Sequence, residues 1–134
     1  MIDHVSIGVK DIDKATSFYQ PILNEIGLKK LIEKSGTVGF GKNYPEFWLN
    51  HRPEKDENCA DSGNHLCLRA KGIEDINRFY NLAMELGAKS GGNPGYRPEY
   101  DSSYYACFII DDDGNRIEIV TFIQDKASAS KLDQ

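Results

Sequence analysis

The chain has 134 residues, inside the ~100–200 usual for one domain, and its 40% hydrophobic, 10% aromatic and 28% charged content excludes a disordered or collagen-like protein. Sixteen Lys and Arg against twenty-one Asp and Glu give a net charge of −5, so nucleic acid is not an expected partner. No apolar run nears the ~20 residues that span a bilayer, the first ten residues lack a signal-peptide core, and three cysteines (Cys59, Cys67, Cys107) show no CxxC spacing, so we expect a cytoplasmic protein with reduced thiols and no membrane association.

The first strand is marked by Val5, Ile7 and Val9 on one face and His4, Ser6 and Gly8 on the other. Ile12, Ala15, Tyr19, Leu23 and Ile26 then recur at helical spacing. Asp11 or Asp13 can cap that helix, Gly27 can end it, and Pro21 is expected to kink or divide it. Short apolar runs at residues 30–32, 37–40 and 47–49 read as strands. Residues 51–63, rich in charged and small side chains, read as a solvated linker.

Beyond the linker the pattern repeats. His4-Val5-Ser6-Ile7 lies over His65-Leu66-Cys67-Leu68 at an offset of 61 residues, and Phe18-Tyr19 lies over Phe79-Tyr80 at the same offset. Leu66, Leu68 and Ala70 oppose His65, Cys67 and Arg69, and a second helix follows through Ile73, Ile76, Tyr80, Ala83 and Leu86 to Gly87. Residues 90–103, with Gly91, Gly92, Pro94, Gly95 and Pro98, read as a long loop, either a surface connection or a lid carrying Tyr96, Arg97 and Tyr100 over a site. Tyr104–Ile110 and Arg116–Phe122 are the last two strands, joined through Asp113-Gly114 in a tight turn. The expected fold is α+β: module 1 over residues 1–50, linker 51–63, module 2 over 64–124 and a tail over 125–134.

Alternation puts His4, His65 and Glu118 on strand faces opposite their apolar neighbours. Two imidazoles and a carboxylate on such faces can bind a divalent metal and leave positions open. The plainer alternative is that each histidine makes an ordinary hydrogen bond and Glu118 pairs with Arg116.

The repeated openings and the ending Asp113-Gly114-Asn115-Arg116-Ile117-Glu118 resemble the vicinal oxygen chelate superfamily, which includes glyoxalase I, bleomycin-resistance proteins, fosfomycin-resistance thiol transferases, methylmalonyl-CoA epimerase and extradiol dioxygenases. The resemblance spans residues 2–124. It implies two βαβββ modules forming a half-open barrel with helices on the outer face, and metal ligands at His4, His65 and Glu118. The ion would be Fe, Mn, Ni or Zn. Two departures stand out. Trp48, which cannot bind a metal, falls where the glyoxalase branch has a fourth ligand, with Glu46 two residues earlier as the only substitute on that face, and Asp112 stands where the family commonly has proline.

The resemblance implies a metal-dependent lyase, isomerase or dioxygenase acting on a small oxygen-chelating substrate, with a metal-free drug-binding protein as the alternative. The candidate base is Glu118, if it detaches from the metal, or Glu46, if it faces inward. Of Tyr104 and Tyr105 only one ring can face the cavity, and we assign that role to Tyr105 as a proton donor. Trp48, Arg97 and Tyr100 are candidate substrate contacts. Cys67 shares the face of His65 but has no activating neighbour in sequence. A homodimer is expected, with the metal site either inside one chain or shared between two.

Overall fold

The computed structural model describes residues 1–56 and 62–123. Part of the expected linker, with Cys59, and the expected tail lie outside those residues. Each half runs strand, helix, three strands: β1 (Val5–Val9), α1 (Ile12–Asn24), β2 (Lys29–Lys34), β3 (Thr37–Gly41) and β4 (Phe47–His51), then β5 (Leu66–Arg69), α2 (Ile73–Glu85), β6 (Lys89–Tyr96), β7 (Tyr104–Ile110) and β8 (Arg116–Phe122). The sheets have strand orders β1-β4-β3-β2 and β5-β8-β7-β6. In both, the first strand of the module lies parallel to the last, and the other pairs are antiparallel. The fold is the expected α+β pair of modules, and neither sheet closes on itself, as a half-open barrel requires.

Local chemistry accounts for the helices. Asp11 caps α1, its Oδ1 accepting the backbone N–H of Lys14 at 3.0 Å. Gly27 and Gly87 follow the two helices at φ +85° and +99°, where a Cβ is strained. Pro21 sits inside α1, which nevertheless continues to Asn24 and is not divided. Tyr19, Ile22 and Leu23 of α1 and Ile76, Phe79 and Ala83 of α2 are buried against Phe47, Leu49, Ile117 and Ile119 on the apolar sheet faces. The alternation read from the sequence therefore holds in β4 and β8. Among the described residues no helix is long and apolar enough to cross a membrane.

The expected loop over residues 90–103 is half strand. β6 runs along the edge of the second sheet, antiparallel to β7, with irregular pairing around Gly92 and Gly95. The glycines that suggested a loop serve close approach instead: a Cβ on Gly91 would lie 3.1 Å from Phe108 Cβ, and one on Gly92 would lie 3.2 Å from Phe108 Cδ2. Without side chains there, the edge strand can lie beside the Phe108 ring.

A polar latch joins the modules. The backbone oxygen of Gly8, near the end of β1, accepts from Lys55 Nζ at 2.9 Å and from Asn115 Nδ2 at 3.0 Å. Lys55 also donates to Asn115 Oδ1 at 2.8 Å, so this linker residue is an anchor and not merely solvated. Lys10 N donates to Asp113 Oδ1, and the buried Tyr19 hydroxyl donates to Asp111 Oδ2 at 2.6 Å. Burial pushes the Asp111 carboxyl above its ordinary range, opposed by the hydrogen bonds from Tyr19 and Asn115. The Asp112 departure also has a partner in this chain, Lys14 Nζ at 2.8 Å, an exposed pair of small energetic value.

This latch makes a prediction. Tyr19→Phe keeps the ring that packs on Phe18 and Phe47 but withdraws a donor from a buried carboxylate, so urea unfolding is expected to show a loss of about 1–3 kcal/mol. An unchanged midpoint would show that Asp111 does not depend on that hydroxyl.

Candidate metal centre

Glu118 is the most constrained polar residue of the sheet face opposite the helices. Its neighbours Ile117 and Ile119 point into the core, which forces the carboxylate to the other side. The residue is only 3% exposed. Its Oε1 lies 3.1 Å from His65 Nε2, and its Oε2 accepts a short hydrogen bond from the Tyr104 hydroxyl. Cys67 is paired with Glu118 across β5 and β8. His65 is half-exposed and meets the edge of Phe108 at 5.8 Å. An adjacent imidazole nitrogen and carboxylate oxygen on an open face are donors that fit a divalent first-row metal.

His4 does not join them within one chain. Its Nδ1 pairs with Asp3 at 2.8 Å, and the side chain is half-exposed. The latch explains the separation: the end of β1, at Gly8 and Lys10, abuts the turn that precedes β8, and β8 starts level with β5. β1 therefore ends where β5 begins. Among the described residues no group of three or more His, Cys, Asp or Glu is placed to hold a metal.

The tyrosine assignment needs correction. Tyr105 is 9% exposed and points toward α2, its hydroxyl donating to Asn77 Oδ1 at 2.8 Å, on the same face as the buried Cys107 and Ile109. Tyr104 is the ring on the cavity side. Strand parity carried the signal, because Ile109 pairs with Ile117 across the hairpin and Tyr105 has the same parity as Ile109. Burial and the bond to Glu118 hold the Tyr104 phenol above its ordinary pKa. Phe108, unremarked in the sequence, pairs with Glu118 across the strands and packs on His65.

The other candidates divide. Tyr100 is exposed and meets Tyr104 edge-on at 5.2 Å, so it borders the Glu118 cluster. Arg97 folds back on its own segment, Nη2 donating to Asn93 O at 2.7 Å, with its guanidinium above Gly92 beside Phe108. Trp48 is the counterpart of Glu118 in the first sheet: it pairs with Ser6 as Glu118 pairs with Cys67. Its indole lies over Gly39, where a Cβ would approach Cζ3 to 3.0 Å. Glu46 turns away from that position, its Oε2 accepting from Lys42 N at 3.3 Å. The Cys67 thiol is pushed up to about 12, first by burial and then by Glu118, so it is protonated at neutral pH and a poor nucleophile.

Comparison with known proteins agrees with this architecture. The chain is 30% identical over 122 residues to a probable lactoylglutathione lyase of Synechocystis, covering 87% of this chain and 92% of that one. It is 27% identical over 121 residues to the metallothiol transferase FosB of Shouchella clausii, covering 90% and 79%. Among solved structures it resembles a glyoxalase/bleomycin resistance protein of Albidiferax ferrireducens, with TM-score 0.77, 21% identity and coverage of 88% and 96%. It also resembles a mutant of the fosfomycin resistance protein FosX of Listeria monocytogenes complexed with Mn(II) and 1S,2S-dihydroxypropylphosphonic acid, with TM-score 0.67, 16% identity and coverage of 100% and 98%. The sequence model of the glyoxalase family matches residues 1–119, and the chain belongs to the Glyoxalase/Bleomycin resistance protein/Dioxygenase superfamily.

Proposed function

We propose that this protein is a divalent-metal-dependent enzyme acting on a small oxygen-chelating substrate, with each site assembled from two copies of the chain. The observation that carries this reading is the buried Glu118 carboxylate with the half-exposed His65 Nε2 at 3.1 Å, on the sheet face opposite the helices. His65 and Glu118 of one copy and His4 of the other would hold the ion. The exposed Phe122 and Tyr100, 42% and 64% accessible in the single chain, give that face apolar surface for a second copy to cover. The lyase and metallothiol transferase relatives, and the Mn(II) bound by the FosX mutant, support a metal-dependent reading.

A bound divalent ion supplies Lewis-acid polarisation of a chelating substrate oxygen. The chain's own residues do the rest. Glu118 is the group able to accept a proton, and the Tyr104 hydroxyl holds its carboxylate in place. Phe108 and Tyr100 wall the site, and Trp48 of the facing copy closes it from the other side.

The test is elemental analysis of untagged protein beside an EDTA-treated control. Stoichiometric Fe, Mn, Ni or Zn that EDTA removes is the expected result. Protein without specifically bound metal, and unable to take any up, would favour a metal-free binding protein in which the His65–Glu118 pair is only a satisfied polar contact.

Trp48 narrows the chemistry further. By the family resemblance it falls where the glyoxalase branch has a fourth ligand, and Glu46 bonds to Lys42 N instead, so a three-ligand site is expected. Isomerisation of the methylglyoxal–glutathione adduct should be negligible even with added Ni(II) or Zn(II). Robust turnover in a direct spectrophotometric assay would show that another group replaces the missing ligand.

A further inference from the structure

Glu118 has two carboxylate oxygens, and the chain treats them differently. Oε1 faces His65, whereas Oε2 is taken by the Tyr104 hydroxyl. Tyr104 starts β7 and pairs with Phe122, four residues beyond Glu118 on β8, so its ring has to lie along the sheet to reach the carboxylate. Between them stands the pair Ala106 and Val120, and the small Ala106 leaves room for the ring.

Two edge-on ring contacts, one of them backed by a cation–π contact, hold the ring there. Tyr104 meets Tyr100 edge-on at 5.2 Å and Phe122 at 5.3 Å with an 88° interplanar angle, and the Arg69 guanidinium caps Phe122 at 4.9 Å. The turn that carries Tyr100 is itself fixed. Tyr100 N donates to Arg97 O at 3.0 Å, Tyr104 N donates to Asp101 O at 3.1 Å, and Asp101 Oδ1 accepts from both the backbone N–H and the hydroxyl of Ser103. The segment between β6 and β7 thus acts as a platform for Tyr104.

We infer that Tyr104 is a positioning residue: by engaging Oε2 it fixes Glu118 as a one-oxygen metal ligand through Oε1 and keeps a further coordination position open for substrate. This rests on the metal-site reading above. A carboxylate free at both oxygens can rotate or chelate an ion through both; one pinned by a phenol has a single oxygen turned toward His65. A hydrogen bond that orients a ligand in this way is typically worth 10- to 100-fold in metal affinity.

The test titrates substrate-free, metal-stripped protein with Mn(II), following the free ion by electron paramagnetic resonance. Tyr104→Phe keeps the ring contacts with Tyr100 and Phe122 and removes only the hydroxyl, and a urea unfolding curve checks that the fold persists. Affinity is expected to fall about 10- to 100-fold. The Mn(II)-minus-apo infrared difference spectrum should also show a narrower splitting of the carboxylate stretching bands, the signature of a change from one-oxygen to two-oxygen ligation. A purely structural role would leave that splitting unmoved. Should Tyr104 serve instead as a cushion for the hydrophobic edge of the site, Tyr104→Ala would weaken Mn(II) binding while Tyr104→Phe would not, and that result overturns the inference. Affinity within twofold of wild type or an unchanged splitting in Tyr104→Phe also overturns it. Wild-type protein that takes up no Mn(II), Ni(II) or Zn(II) refutes the metal-site reading itself and this inference with it.

Discussion

The hydrogen bonds that Lys55 and Asn115 make to the backbone oxygen of Gly8, with the Tyr19–Asp111 bond behind them, set the two modules side by side, and the location of every candidate ligand follows from that. They tie the end of β1 to the turn that opens β8. The docking of the modules thereby decides which of the candidate ligands meet. A chain that joined its modules the other way round could gather three ligands by itself; this one brings together His65 and Glu118 and leaves His4 with Asp3.

Glu118 is the second constraint. A carboxylate 3% exposed is costly to keep charged unless polar partners replace the lost water, and it has an imidazole, a phenol and a thiol around it. None of the three carries a fixed positive charge. The strand could have placed an apolar residue there, as it does at Val120 on the same face. Retaining a carboxylate, with a hydroxyl devoted to one of its oxygens, is sensible for a ligand and hard to explain as packing.

The strands and helices were legible because the hydrophobic period changes from two to about 3.6 twice along the chain, and the internal repeat fixed their equivalence. The faces of His65, Glu118 and Trp48 followed from alternation alone. Four features were missed. Residues 90–96 carry glycine where a strand usually carries β-branched side chains, because Phe108 on the neighbouring strand fills the space, a tertiary cause with no local signal. Lys55 reads as linker because nothing near it in sequence reveals Gly8 as its partner. Tyr105 was misplaced for a different reason: the parity of β7 was available from the hairpin, and counting back from Ile109 selects Tyr104 for the cavity. The separation of His4 from His65 depends on how the modules are docked, which periodicity within either module does not encode.

The claim that the site is shared between chains is tested most directly by mixing. His4→Ala and Glu118→Ala proteins each lack a complete site in any homodimer they form. If the ligands come from two chains, an equimolar mixture allowed to exchange subunits forms hybrids in which one of the two sites has His4, His65 and Glu118 intact, and tight Mn(II) binding returns to about a quarter of the wild-type stoichiometry. If exchange is demonstrated by mass spectrometry and no tight Mn(II) binding returns, the shared site is contradicted.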